Sequence, residues 1–172
     1  MSQPSRIKQL DERTIGHIAA GEVVERPAQV VKELIENSID ADSSRITIEI
    51  ERGGFDLIRI TDDGSGIHEH DLSLSLDRHA TSKLSSEEDL AAIGTLGFRG
   101  EALASIGMVS KLSISSRPLG TEGRKIVMDN GNKGKIEPAG VAEGTSIEVS
   151  HIFANQPARL AFQRRPATET SK

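Results

Sequence analysis

Cysteine, tryptophan and tyrosine are absent from this chain of 172 residues, and phenylalanine occurs only four times. Without cysteine there are no disulfides, no thiolate nucleophile and no thiolate-held structural zinc, so any metal must be held by oxygen or imidazole. The poverty of aromatic rings removes base-stacking platforms and aromatic cages, which leaves hydrogen bonds and aliphatic walls to recognise a nucleobase. Positive charge is also in short supply: the formal net charge is −5, the wrong sign for a domain that grips duplex DNA through its phosphates. No apolar run nears the roughly 20 residues that cross a bilayer, and Met1 to Asp11 is polar, without a stretch of signal-peptide length. The chain reads as a single soluble domain, long enough at 35% hydrophobic content to bury one core.

Glycine, by contrast, is frequent and gathers in loops between periodic segments. Ile15 to Val24 forms a short apolar segment, and Pro27 suits the first turn of a helix expected from Pro27 to Asp40. Ile46, Ile48 and Ile50, then Ile58 and Ile60, alternate with polar residues around Gly53-Gly54 and predict an antiparallel hairpin. Helical patterns follow at Asp71–Leu76, at Ser85–Ile93 behind a Ser85/Glu88 capping box, and again from Glu101. Strands are expected at Lys111–Ser115, Lys125–Met128 and Ser146–Val149, with Asn130-Gly131 as a hairpin turn. Strands beside a few segregated helices predict an α+β two-layer sandwich, a mixed and mainly antiparallel sheet with helices on one face.

Four places carry candidate chemistry. On the helix from Pro27, Val30, Val31, Leu34, Ile35 and Ile39 share one face, opposite Glu33, Glu36, Asn37 and Asp40. Glu33 and Asn37, four apart, converge on one point: the carboxylate can take a proton while the amide offers oxygen to a hard cation. A solvated polar face explains the same pattern. Asp62 shares the parity of Ile58 and Ile60 and is expected on the buried side, where it needs a donor such as the exocyclic amine of adenine, with Gly64 and Gly66 letting backbone approach a ligand. Ordinary turn chemistry explains this loop equally. Gly97-Phe98-Arg99-Gly100 runs into the helix from Glu101, Ala102 and Leu103, presenting N–H groups and a guanidinium to an anion, though a plain helix start fits too. Thr81, Ser82 and Lys83 could add donors, and Gly144-Thr145 precedes the last strand. No Walker A or dinucleotide-binding spacing is present, and His79 lacks a second histidine at ligand spacing.

In order and spacing, these pieces resemble the ATPase superfamily of type II topoisomerase subunits, heat-shock chaperones, sensor histidine kinases and MutL proteins. Residues 18–27 (IAAGEVVERP), 32–41 (KELIENSIDA), 78–83 (RHATSK) and 97–106 (GFRGEALASI) resemble the MutL branch in particular. The resemblance, covering Ile7 to Phe162, implies a Bergerat-type ATPase fold in one ATP-binding domain over 1–172: an N-terminal arm to residue 21, a core over 22–165 and a disordered tail over 166–172.

It further implies Glu33 as general base, Asn37 as Mg²⁺ ligand and Asp62 as adenine reader, with Gly64, Gly66 and Thr145 also at the nucleotide. Thr81, Ser82 and Lys83, with Gly97, Phe98, Arg99, Gly100, Glu101, Ala102 and Leu103, would form the lid and phosphate cradle. ATP and Mg²⁺ are the implied cofactors. Hydrolysis would act as a conformational switch in DNA mismatch repair, in a cytoplasmic protein of prokaryotic type with no membrane association. The implied partners are a second copy, joined through the N-terminal arm when ATP binds, and a MutS-type mismatch-recognition protein. DNA would be met mainly through regions not in this sequence. Also outside it are a second subdomain, which supplies a phosphate-contacting lysine, and a dimerisation domain, so a non-hydrolysing ATP-binding or partner-docking module is the alternative. Asp63 stands where the family often has asparagine and is expected to add negative charge near the phosphates; Gln156 stands where threonine is usual.

Overall fold

The computed structural model describes residues 9–77 and 102–161. Helix α1 spans Glu12–Val23, so the second half of the expected arm is helical; Asp11 caps it, its carboxylate accepting from the Thr14 N–H at 2.7 Å. Helix α2 spans Pro27–Asp40 with proline in its first turn, as expected. Arg26 gives its start no side-chain cap, and Gln29 instead accepts from the Glu25 N–H at 2.7 Å.

The hairpin follows as strands β1 (Ile46–Glu51) and β2 (Leu57–Asp62), joined through a 3₁₀ turn at Arg52–Gly54. Helix α3 occupies Glu69–Leu74, two residues earlier than the pattern suggested. The expected helix at Ser85–Ile93 lies outside the described residues. Helix α4 is Ala102–Met108, followed by β3 (Lys111–Arg117), β4 (Arg124–Asp129), the two-residue strands β5 (Asn132–Lys133) and β6 (Glu137–Pro138), β7 (Gly144–Ser150) and helix α5 (Pro157–Ala161). Asn130 and Gly131, at φ 47° and 92°, make the β4–β5 turn; positive φ at both central residues is what a type I′ hairpin requires.

The seven strands form one sheet in the order β1-β2-β7-β3-β4-β5, with β6 on the same side of β4 as β5. All described pairings are antiparallel. One face carries the core: Ile58, Ile60, Ile147, Val149, Leu112, Ile114, Ile126 and Met128 are buried with Val30 and Leu34 of α2 and Ile106 of α4. A place on an apolar face does not by itself secure burial. Ile48 and Ile50 share the inner face with Ile60 and Ile58 but remain 44% and 39% exposed, because β1 is the sheet edge. Ile39 is 51% exposed, as α2 seats itself on Pro27, Val30, Leu34 and Ser38.

Candidate functional site

Register places the candidate chemistry. Across the inner face, Ile48, Ile60, Ile147, Ile114 and Ile126 lie opposite one another in a single apolar row. Two residues further along each strand the row becomes polar: Asp62 lies opposite Thr145, and Thr145 opposite Ser116. All three are buried, and Asp62 is the one ionisable side chain buried among the described residues. Asp62 lies on the buried side, as its shared parity with Ile58 and Ile60 predicts, and Thr145, 83 positions away, stands beside it through strand pairing alone.

A buried carboxylate needs donors. Asp62 Oδ2 accepts from the Ser38 hydroxyl at 2.7 Å, and Oδ1 from the Gly64 N–H at 2.9 Å. A carboxylate offers about four lone-pair sites, more than these two donors among the described residues fill. The Ser116 and Thr145 hydroxyls are 2.8 Å apart, and Ser116 Oγ also accepts from the Ile67 N–H at 2.7 Å. Sequence reading missed Ser38 and Ser116. Ser38 had a signal, being a small polar residue four positions after Leu34 on the buried face of α2; Ser116 had none before the register was known.

Ser38 joins this row to α2, directly after Asn37 and five residues after Glu33. Both of the latter are half-buried, on the flank of the helix and not on its solvent side. Glu33 lines a narrow crevice with Val24, Gln29, Val30, Ala102 and Ile106, between α2 and the start of α4, the element into which Gly97–Glu101 leads. Ala102 and Leu103 are half-buried there. Thr81, Ser82, Lys83, Gly97, Phe98, Arg99, Gly100 and Glu101 lie outside the described residues.

The glycines of the loop serve backbone contacts within the protein. A Cβ at Gly64 would stand 2.6 Å from the Ala41 carbonyl and 2.7 Å from Ser43 Oγ; Gly66, at φ 76°, would place one 2.8 Å from Pro118 N. They let the loop lie between the α2–β1 connection and the end of β3, in close packing of chain on chain.

Asp63 is held by the backbone of the α2–β1 connection. Its Oδ1 accepts from the N–H groups of Ser44 and Arg45 at 2.7 and 2.8 Å. The Arg45 N–H above all, and then that of Ser44, hold the carboxyl below its ordinary value of 3.8. The added charge is engaged by the connection between α2 and β1.

Among the described residues no three His, Cys, Asp or Glu side chains gather as a metal site. Mg²⁺ usually takes one or two protein oxygens and completes its shell with water and substrate phosphates, and the Asn37 amide carries an oxygen of that kind. Also among the described residues, no helix is long and apolar enough to cross a membrane.

Residues 25–150 match the family model of histidine kinase-, DNA gyrase B- and HSP90-like ATPases. The chain is 53% identical over 167 residues to the DNA mismatch repair protein MutL of Thermoanaerobacter sp. (strain X514), covering 96% of this chain and 27% of that protein. It is 48% identical over 166 residues to MutL of Halobacterium salinarum (strain ATCC 29341 / DSM 671 / R1), covering 95% of this chain and 25% of that one. The chain thus spans about a quarter of the length of these relatives. Among solved structures it is similar to the Aquifex aeolicus MutL ATPase domain complexed with ADP, with TM-score 0.67 and 34% identity over 87% of this chain and 52% of the other. It is also similar to the N-terminal domain of a DNA repair protein, with TM-score 0.72 and 33% identity over 89% and 45% of the two chains.

Proposed function

We propose that this chain, which belongs to the histidine kinase-, DNA gyrase B- and HSP90-like ATPase family and within it to the MutL DNA mismatch-repair branch, binds Mg·ATP between α2 and the polar row of its sheet and hydrolyses it. The observation that carries this reading is Asp62: a buried carboxylate whose acceptor sites are not all filled among the described residues, joined through Ser38 to the helix that bears Glu33 and Asn37. Burial strengthens a hydrogen bond from an adenine amine and makes an unsatisfied one costly, which selects for a base that can donate there.

Asp62 would orient the base with Thr145 beside it, and the glycine loop would hold Asp62. Asn37 would hold Mg²⁺, which when bound offsets charge on the phosphate oxygens. Glu33 would take the proton from the water that attacks the terminal phosphorus. It lies one helical turn before Asn37, beside the start of α4, where the segment Gly97–Leu103 would cradle the phosphates and Thr81, Ser82 and Lys83 would close over them. In this reading nucleotide state is a conformational switch in mismatch repair, in the cytoplasm. The N-terminal arm reaches a second copy, and a MutS-type protein and DNA are met by the longer assembly.

The test is steady-state phosphate release beside nucleotide titration. Glu33→Ala lowers turnover by about 10²–10⁴-fold, the usual range for general-base loss, and leaves binding in place. Parallel loss of binding would refute the role given to Glu33, and binding without turnover in the unaltered chain would favour the non-hydrolysing module.

A further inference from the structure

We infer that Asp63 is a positioning residue for the nucleotide site, acting through the geometry of one oxygen and not through its charge. Asp62, the last residue of β2, is buried and Asp63, the next residue, is exposed, so consecutive carboxylates clasp two different parts of the chain. Asp62 takes the Ser38 hydroxyl of α2. Asp63 takes the loop that follows α2, its Oδ1 accepting from Ser44 N at 2.7 Å and Arg45 N at 2.8 Å while its own N–H donates to the Arg45 carbonyl at 3.3 Å. Ser65 N adds a bond to the Ala41 carbonyl at 3.0 Å, and Gly64 lies flush against Ala41 and Ser43. The glycine loop and the α2–β1 loop therefore move as one body, and Asp62 Oδ1, bonded to Gly64 N, moves with them.

The inference rests on the proposed ATP site. Misplacing an adenine acceptor by a fraction of an ångström weakens its hydrogen bond, whereas Glu33 and Asn37, on the helix itself, keep their places. Loss of the clasp then raises KM for ATP and spares kcat.

Because both N–H groups converge on one oxygen, asparagine can replace aspartate here, and its amide oxygen can accept both. Glutamate keeps the charge but carries its oxygens one methylene too far. The full chain, as Asp63→Asn, Asp63→Glu and Asp63→Ala, is titrated with a non-hydrolysable ATP analogue and Mg²⁺, assayed for turnover, and followed by amide exchange at Ser44, Arg45 and Gly64. Asp63→Asn is expected to keep the affinity of the unaltered chain, with those amides exchanging more slowly than in Asp63→Glu and Asp63→Ala. Asp63→Glu and Asp63→Ala are expected to lose about tenfold in affinity, as for one weakened hydrogen bond to a charged acceptor, with kcat unchanged and those amides exchanging faster. The inference is overturned if Asp63→Asn loses affinity as Asp63→Glu does, or if Asp63→Glu binds like the unaltered chain; both arms hold even where Asp63→Ala does not fold. Failure of the unaltered chain to bind the analogue overturns the ATP site itself and the inference with it, an outcome distinct from equal binding by all variants.

Discussion

Asp62 is the last residue of β2 and Asp63 the first beyond it, and they differ in everything that matters to an ionisable group. Asp62 is buried under α2, where the Ser38 hydroxyl and the Gly64 N–H donate to it. Asp62→Ala should weaken ATP binding by about 1.5–3 kcal/mol, roughly ten- to hundred-fold, the value of a hydrogen bond to a charged acceptor; unchanged affinity in a calorimetric titration would remove the adenine assignment. Asp63 is exposed and held below its ordinary pKa of 3.8 by the Arg45 and Ser44 N–H groups. Its folded value lies beneath its unfolded one, so its stabilising contribution is complete above 3.8 and fades as pH falls through the lowered value. The melting temperature of the unaltered chain should exceed that of Asp63→Asn at neutral pH, and the gap should close in acid below about pH 4. A gap independent of pH would show that the carboxylate charge has no part in it.

At the scale of elements, identical patterns have unequal consequences. Ile48 and Ile60 face each other across the hairpin, on the same side of the sheet. Ile60 is 2% exposed beneath α2, whereas Ile48, on the edge strand, is 44% exposed. Ile60→Ala should cost about 2–5 kcal/mol, as for an isoleucine removed from a packed core. Ile48→Thr should stay within roughly 0.5 kcal/mol, as for a surface change on a strand. Urea denaturation of both variants separates the two, and equal losses would mean that the edge of β1 is covered in solution. The same distinction governs α2, whose extent was legible because Pro27 and the apolar spacing are local signals, whereas the tilt that exposes Ile39 and buries Ser38 comes from its seat on β2.

Across the whole molecule, two ends of the chain meet. Arg159 on α5 donates from Nη2 to the Val24 carbonyl at 2.7 Å, and its guanidinium lies 4.8 Å from the centre of the Phe153 ring. Val24 is the last residue before the turn into α2 and shares a crevice with Glu33, so α5 braces the start of the helix that carries the proposed base. Arg159→Ala should destabilise the fold by about 1–3 kcal/mol, for loss of a charged hydrogen bond and the ring contact. Arg159→Lys should recover only part of this, since an ammonium lacks the planar face that stacks on the ring. Full recovery in thermal unfolding would show that charge alone maintains the brace.

What the sequence determined by itself was local or motif-borne: the α2 helix, the hairpin, the Asn130-Gly131 turn, the antiparallel character of the sheet and the resemblance to the MutL branch. Each depends on residues within a few positions of one another, where periodicity and turn chemistry act directly. Tertiary structure alone decided that Asp62, Thr145 and Ser116 form one buried row, that Ser38 ties this row to α2, that Asp63 clasps a loop, and that two isoleucines of a faultless strand pattern stay in water. Those outcomes follow from register and from which strand lies at the edge, and both are set by pairing between segments far apart along the chain.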